Sequence, residues 1–255
     1  MDDFKTLMGG TLNTNEDWEL LGNLYEKFVK NQSLEITIPK KIHQIWIGQV
    51  PEYVNILHNK IKEKHPQWEC KLWTDEVIKS YSLKNKTLFD SQKNLGCKSD
   101  ILRYEILYNE GGIYLDTDFE IVSCFDNLIN MDFFTGCGHI TSPEVFNGLI
   151  GCKKNHPIID EILTRLSLLP QNTDLSNITS IMESTGPYFF SKVFFDYIRK
   201  NSTEKIVVLP TPYFYPLPAS ERHRIRGKYS DLDTYVKSFN TDKTICIHLW
   251  YNSWQ

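Results

Sequence analysis

Two aspartates one residue apart, Asp116 and Asp118, follow directly on the apolar run Ile113-Tyr114-Leu115. In an extended segment residues i and i+2 face the same side, so both carboxylates can address one point, or a turn beginning there can splay them around it. If the run is a strand of an open α/β sheet, its carboxyl end is the edge at which ligands bind. Paired hard oxygen ligands suit Mg2+ or Mn2+, ions that also bridge the oxygens of a diphosphate. The chemistry this favours is departure of a nucleoside diphosphate, with a divalent ion neutralising the charge that builds on the phosphate. An Asp-x-Asp by itself is more often a solvated acidic turn, so the pair needs company.

Company lies just upstream. Asp100 and Arg103 share one face of a helix expected over 100–109, which Ser99 would cap and Gly111-Gly112 would stop. A helix packed back on its sheet can bring that face to the end of the next strand. There a carboxylate and a bidentate guanidinium suit a polyhydroxylated ring. The bland alternative is a surface ion pair. Trp46 ends the strand expected over 42–48 and falls on the same edge, either as a platform for a nucleobase or as core filler.

The elements that must hold these residues alternate. An amphipathic helix is expected over 16–30, with Trp18, Leu21, Tyr25 and Phe28 at helical spacing. A strand at 42–48, a helix at 56–64 and a strand at 69–73 read as a βαβ unit with parallel pairing. A hairpin-like pair follows at 133–139 and 146–153, then helices at 157–169 and 187–200 and strands at 206–209 and 244–249. The pattern predicts one α/β domain with a mixed, mainly parallel sheet flanked by helices. Residues 1–37 are expected to form a helical extension and residues 38–255 the catalytic domain.

Composition excludes several classes of function. With 255 residues and 41% hydrophobic content the chain can bury a substantial core. A net charge of −4 gives no footprint for nucleic acid. The basic run at 222–228 is the exception; it could make peripheral contact with a membrane, although such runs are more often solvated loops. The six cysteines are scattered without a CxxC pair and are expected as buried free thiols. The acidic start lacks a signal-peptide core and no apolar run nears the ~18 residues of a membrane span, so a cytoplasmic protein is expected, with Asn31 and Asn177 unglycosylated.

Residues 39–48, 99–104 and 111–118, with Asn147, Thr185-Gly186-Pro187 and 247–254, resemble in order the motifs of glycosyltransferase family 32. That family is related to the catalytic domains of the large glucosylating clostridial toxins. The resemblance covers about residues 38–254 and implies a GT-A type, Rossmann-like fold and retention of configuration at the anomeric carbon. By the same resemblance Trp46 stacks on the donor base, Asp100 and Arg103 hold the donor sugar, and Asn147 joins the donor site. Asp116 contacts ribose or metal, Asp118 ligates Mn2+ (or Mg2+) directly, and His248 is a further metal ligand. Asn252, Ser253 and Trp254 would meet the diphosphate. A histidine in an apolar strand is ordinarily a satisfied core residue; the Ile-His-Leu-Trp context favours the ligand role.

The expected reaction moves a hexosyl unit from a UDP- or GDP-sugar to a hydroxyl of a glycan or other acceptor, in polysaccharide or glycoconjugate synthesis. No carboxylate is evidently placed as a nucleophile, so front-face attack is expected, the departing phosphate taking the acceptor's proton. Haloacid-dehalogenase phosphatases also carry Asp-x-Asp after a strand, but Glu120 stands where they have Thr or Val. A binding relative without turnover is the non-enzymatic rival. The run 213–216 (Tyr-Phe-Tyr-Pro) could line an acceptor site or simply pack, while His43, Cys97 and Glu120 have no chemical role by spacing.

Overall fold

In the computed structural model, which describes residues 3–251 except 11, 14, 31–34, 139–141, 171–172, 174, 176, 201–203 and 227–231, eight short strands alternate with helices. They are β1 (Lys41–Ile45), β2 (Glu69–Trp73), β3 (Gly112–Leu115), β4 (Phe119–Ile121), β5 (Phe133–Gly136), β6 (Phe146–Cys152), β7 (Ile206–Leu209) and β8 (Cys246–His248). Six of them make the central sheet in the order β2-β1-β3-β6-β5-β7. β1 pairs in parallel with β2 and β3, and β5 with β7, while β6 runs antiparallel to both its neighbours. The sheet is thus mixed and mainly parallel, as the alternation predicts. Every residue of β3, β5 and β7 is buried, the pattern of strands covered on both faces by helices.

Local chemistry explains the boundaries that differ from expectation. The helix before β3 spans Leu95–Glu110 and begins one turn earlier than Ser99 suggests. Asn94 is its cap, accepting a hydrogen bond from the Cys97 amide at 3.1 Å. Gly111 and Gly112 end it at φ +63° and +97°. A β-carbon on Gly112 would lie 2.7 Å from the Lys41 carbonyl, so only glycine lets β3 start this close to β1. β1 stops at Ile45, one residue before Trp46, and the helix expected from 56 starts at Glu52, just after Pro51. The strand expected over 244–249 is only Cys246–His248, and it lies outside the central sheet. It pairs antiparallel with β4 in a separate two-stranded sheet.

The helix Glu16–Lys30 buries Trp18, Leu21 and Tyr25 in the same hydrophobic core as the sheet and lies against β7. Tyr25 and Tyr213 join their hydroxyls at 2.9 Å, and Arg199 pairs with Asp17 at 2.7 Å. All six cysteines are free thiols, Cys97, Cys137, Cys152 and Cys246 fully buried. Among the described residues no helix is long and apolar enough to cross a membrane.

Candidate active site

A cleft of about 410 Å³ opens at the carboxyl ends of β1 and β3, and Trp46, Asp100, Arg103, Asp116, Asp118 and His248 all line it. Strand ends supply Trp46 and the two aspartates; the Leu95–Glu110 helix, packed against β1 and β3, supplies Asp100 and Arg103.

Asp100 and Arg103 are not a surface ion pair. They are 6% and 5% exposed, with Arg103 Nη2 2.9 Å from Asp100 Oδ1. Further hydrogen bonds surround the pair, as a buried charge requires. Asn147 Nδ2 donates to Asp100 Oδ1 at 2.9 Å and Thr185 Oγ1 to Asp100 Oδ2 at 3.0 Å. Arg103 Nη1 donates to the Asn147 carbonyl at 2.7 Å and lies 3.3 Å from Asp116 Oδ1. Its guanidinium sits 4.5 Å from the Tyr114 ring centre. Burial raises the Asp100 carboxyl to about 6 despite the pull of Arg103.

Asp116 is held by groups whose importance spacing alone did not announce. Tyr114 donates its hydroxyl to Asp116 Oδ1 at 2.7 Å, and the Asp116 amide donates to the Gly148 carbonyl at 2.8 Å. Behind the carboxylate, His58 Nδ1 and Gln44 Oε1 are 2.8 Å apart, and Gln44 Nε2 donates to the Asp116 carbonyl at 3.2 Å. Gly148 matters because a β-carbon there would lie 2.9 Å from Asp116 Oδ2. Burial pushes the Asp116 carboxyl upward; Arg103 opposes that shift and the nearby Asp118 charge adds to it.

Asp118 meets His248 because β4 starts directly after it. The β4–β8 register sets Phe119 opposite His248, and His248 Nε2 then lies 3.2 Å from Asp118 Oδ1 and 3.9 Å from Asp116 Oδ2. The Leu249 amide donates to the Asp118 carbonyl at 2.9 Å and the Tyr251 amide to Asp118 Oδ2 at 2.8 Å. Burial disfavours both ions, but their mutual attraction outweighs it: Asp118 is held below and His248 above its ordinary range. The ligand atoms of Asp116, Asp118 and His248 lie within 4.8 Å of one another. Two carboxylates and one imidazole converging this way fit a divalent ion of the Mn2+ or Mg2+ type, and no cysteine competes for a softer metal.

Trp46 is half-buried on the cleft wall, its indole donating to the Gln49 carbonyl at 2.8 Å, and it is not core filler. Asn147 is buried beneath Asp100. Asn252, Ser253 and Trp254 lie outside the described residues, as does part of the basic run at 222–228. Within that run Arg224 is engaged by Glu221 at 3.5 Å. In the run 213–216, Phe214 is buried and packs, while Tyr215, also buried, borders the cleft. His43 is structural: it bridges the Gly111 carbonyl at 2.9 Å and the Trp73 indole N–H at 3.2 Å. Sequence reasoning missed Tyr114, Gln44, His58 and Gly148. Tyr114 stands two residues before Asp116 on one strand, and Gln44 is a polar residue inside an apolar strand; both were visible signals.

A family model described as the glycosyltransferase sugar-binding region containing the DXD motif matches residues 51–135. The chain is 30% identical over 190 residues to an uncharacterized glycosyltransferase of Acanthamoeba polyphaga mimivirus, covering 70% of this chain and 73% of that protein. It is 34% identical over 167 residues to inositol phosphoceramide mannosyltransferase 3 of Schizosaccharomyces pombe, covering 63% of this chain and 45% of that one. It therefore spans about half the length of that yeast relative. Among solved structures the PaToxG glycosyltransferase superposes with a TM-score of 0.56 at 20% identity, over 72% of this chain and 80% of that chain. The fold is GT-A.

Proposed function

Starting from a chain that belongs to the DXD-containing glycosyltransferases of family 32, we propose that its cleft transfers a hexosyl unit, with retention, from a nucleotide sugar to an acceptor hydroxyl. The observation that carries this reading is the convergence of Asp116, Asp118 and His248 within 4.8 Å beside the buried Asp100–Arg103 pair. A divalent ion held by Asp118, His248 and Asp116 would supply Lewis acidity to the departing diphosphate. Trp46, half-exposed on the cleft wall, offers its indole face to the nucleobase. Asp100 accepts from sugar hydroxyls while Arg103 fixes its orientation, and Asn147 keeps Asp100 in place. Asn252, Ser253 and Trp254 lie outside the described residues, and we assign them to the diphosphate from the family resemblance alone.

Of the four carboxylates that line the cleft among the described residues, Asp100 is engaged by Arg103, Asp116 by Tyr114 and Asp118 by His248, while Glu144 stands at its border. With none of those three free as a nucleophile, we favour a front-face route. The bond from anomeric carbon to phosphate oxygen breaks and its electron pair leaves with the phosphate. The acceptor oxygen bonds to the same face of the carbon, and its proton passes to the leaving phosphate. The acceptor enters where the exposed ring of Tyr188 and the half-buried Glu144 border the cleft. The mannosyltransferase name of the yeast relative makes GDP-mannose the first donor to try, ahead of UDP-hexoses, and a glycan or glycolipid the first acceptor. We assign catalysis to residues 38–255 and a buttressing role to the preceding helix Glu16–Lys30.

Donor hydrolysis without acceptor tests the reading. Wild type should release nucleoside diphosphate with Mn2+ and stop with chelator, and Asp118→Asn should lose at least about a hundredfold, the scale of a lost charge-stabilising group. Near-normal turnover in that variant, or in chelator, would sink it.

A further inference from the structure

Tyr215 is only 1% exposed, and the rings of Phe119, Phe146, His248 and Trp250 surround it at 5.7, 5.1, 5.8 and 5.9 Å between centres. Its hydroxyl is buried with no hydrogen-bond partner among the described residues. Such a group destabilises a fold that phenylalanine would serve equally well in shape, so its presence calls for a partner that arrives later. Its place says which one. A β-carbon on Gly148 would lie 2.9 Å from Asp116 Oδ2 and 3.4 Å from the Tyr215 oxygen. Both oxygens therefore border the same stretch of β6 backbone on the cleft floor.

Charge narrows the choice further. Among the described residues the lining of the cleft includes no lysine, and the arginine there, Arg103, is already bound to Asp100, Asp116 and the Asn147 carbonyl. A phosphate entering this acidic cleft would need a bound divalent ion, which Asp116, Asp118 and His248 could hold, together with uncharged hydrogen-bond donors. A phenol is protonated at neutral pH, so the group has a proton to give.

We propose that the Tyr215 hydroxyl is a donor-binding group, kept unpaired in the free protein and bonded to a phosphate oxygen of the nucleoside diphosphate once it binds beside Asp116. The inference rests on the nucleotide-sugar reading of the cleft.

Tyr215→Phe removes one oxygen and separates the possibilities. Three quantities are measured on wild type and variant: the melting temperature without ligand, the affinity for Mn2+ alone, and the affinity for UDP and GDP in Mn2+ by calorimetry. The expected result is a melting temperature equal to or above wild type, Mn2+ affinity within about twofold, and diphosphate affinity weaker by about tenfold or more, the loss of a hydrogen bond to a charged group. Unchanged diphosphate affinity overturns the proposal, including the case where only an intact nucleotide sugar binds more weakly, which would give the hydroxyl to the sugar. A melting temperature several degrees lower also overturns it, by giving the hydroxyl a partner within the fold. If wild type binds neither diphosphate in Mn2+, the reading of the cleft fails first and the role of Tyr215 falls with it.

Discussion

Replacing Gly148 by alanine tests whether the Asp116 carboxylate has only one place to be. The added methyl carbon would lie 2.9 Å from Asp116 Oδ2 and 3.7 Å from its Cγ. Ordinary carbon–oxygen contact needs about half an ångström more, so one of the two must move. The methyl is fixed to sheet backbone, which leaves the carboxylate. Its other oxygen is tied to Tyr114 at 2.7 Å and faces Arg103 at 3.3 Å, so Oδ2 can retreat only by breaking those contacts or by turning away from His248. Misplacing a ligand through its supporting shell typically weakens metal binding by about 10–100-fold, and that is the expected loss in Mn2+ affinity. Overpacking should also cost about 1–3 kcal/mol of stability, or roughly 2–10 °C in melting temperature. Calorimetric titration with Mn2+ and thermal unfolding read the two effects. Gly22→Ala is the control: its β-carbon would meet only Phe4 Cβ at 3.8 Å, within the Glu16–Lys30 helix, so it should leave Mn2+ binding unchanged and stability equal or higher. Wild-type Mn2+ affinity in Gly148→Ala would refute the reasoning.

Arg103→Lys should remove most donor turnover and lower stability by about 2–5 kcal/mol, because an ammonium cannot serve Asp100, Asp116 and the Asn147 carbonyl together; urea unfolding and donor hydrolysis check it, and a variant matching wild type in both contradicts it. Burial depresses the His43 imidazole to about 4, so the fold refuses a proton that the unfolded chain accepts below about pH 6.5. His43 therefore contributes its full stability above pH 6.5 and loses it as the pH falls towards 4, about 3 kcal/mol in all. Asp100, raised to about 6, acts in the opposite direction between pH 6 and its ordinary 3.8. The cleanest measurement is thus the difference in acid sensitivity between wild type and His43→Gln, and equal slopes between pH 7 and 5 would be the contrary result.

The parts of the site visible in the sequence were those set by local periodicity. Asp116 and Asp118 follow an apolar strand, Asp100 and Arg103 share a helix face, and Trp46 follows a second strand; each position is fixed by residues within one or two turns of it. What stayed hidden depends on distant partners. Gly148 matters only because β6 lies beside β3, and the Gln44–His58 relay exists only because a helix packs over β1. β4 has three residues, too few for any periodicity to register, yet its pairing with β8 is what brings His248 to Asp118. The position of the histidine followed from family resemblance, but nothing local shows that its strand leaves the central sheet to pair with β4. The early start of the Leu95–Glu110 helix was masked by Gly96, a poor helix former, which made Ser99 the more attractive cap than Asn94.

The small β4–β8 sheet also sets when this protein can become competent. Asp118 is gripped by the Tyr251 amide, 133 residues later in the chain, and by His248 between them. Synthesis runs from the amino end, so a chain still emerging from the ribosome can complete its central sheet through β7 while the two aspartates lack their histidine. Only as the last described residues dock does the cluster become three-sided. Loop closure over such a span adds little to the equilibrium cost, since that cost grows only with the logarithm of length, but it puts the event late in time. Binding of a cation by all three ligands would therefore serve as a stopwatch for the docking of β8 against β4.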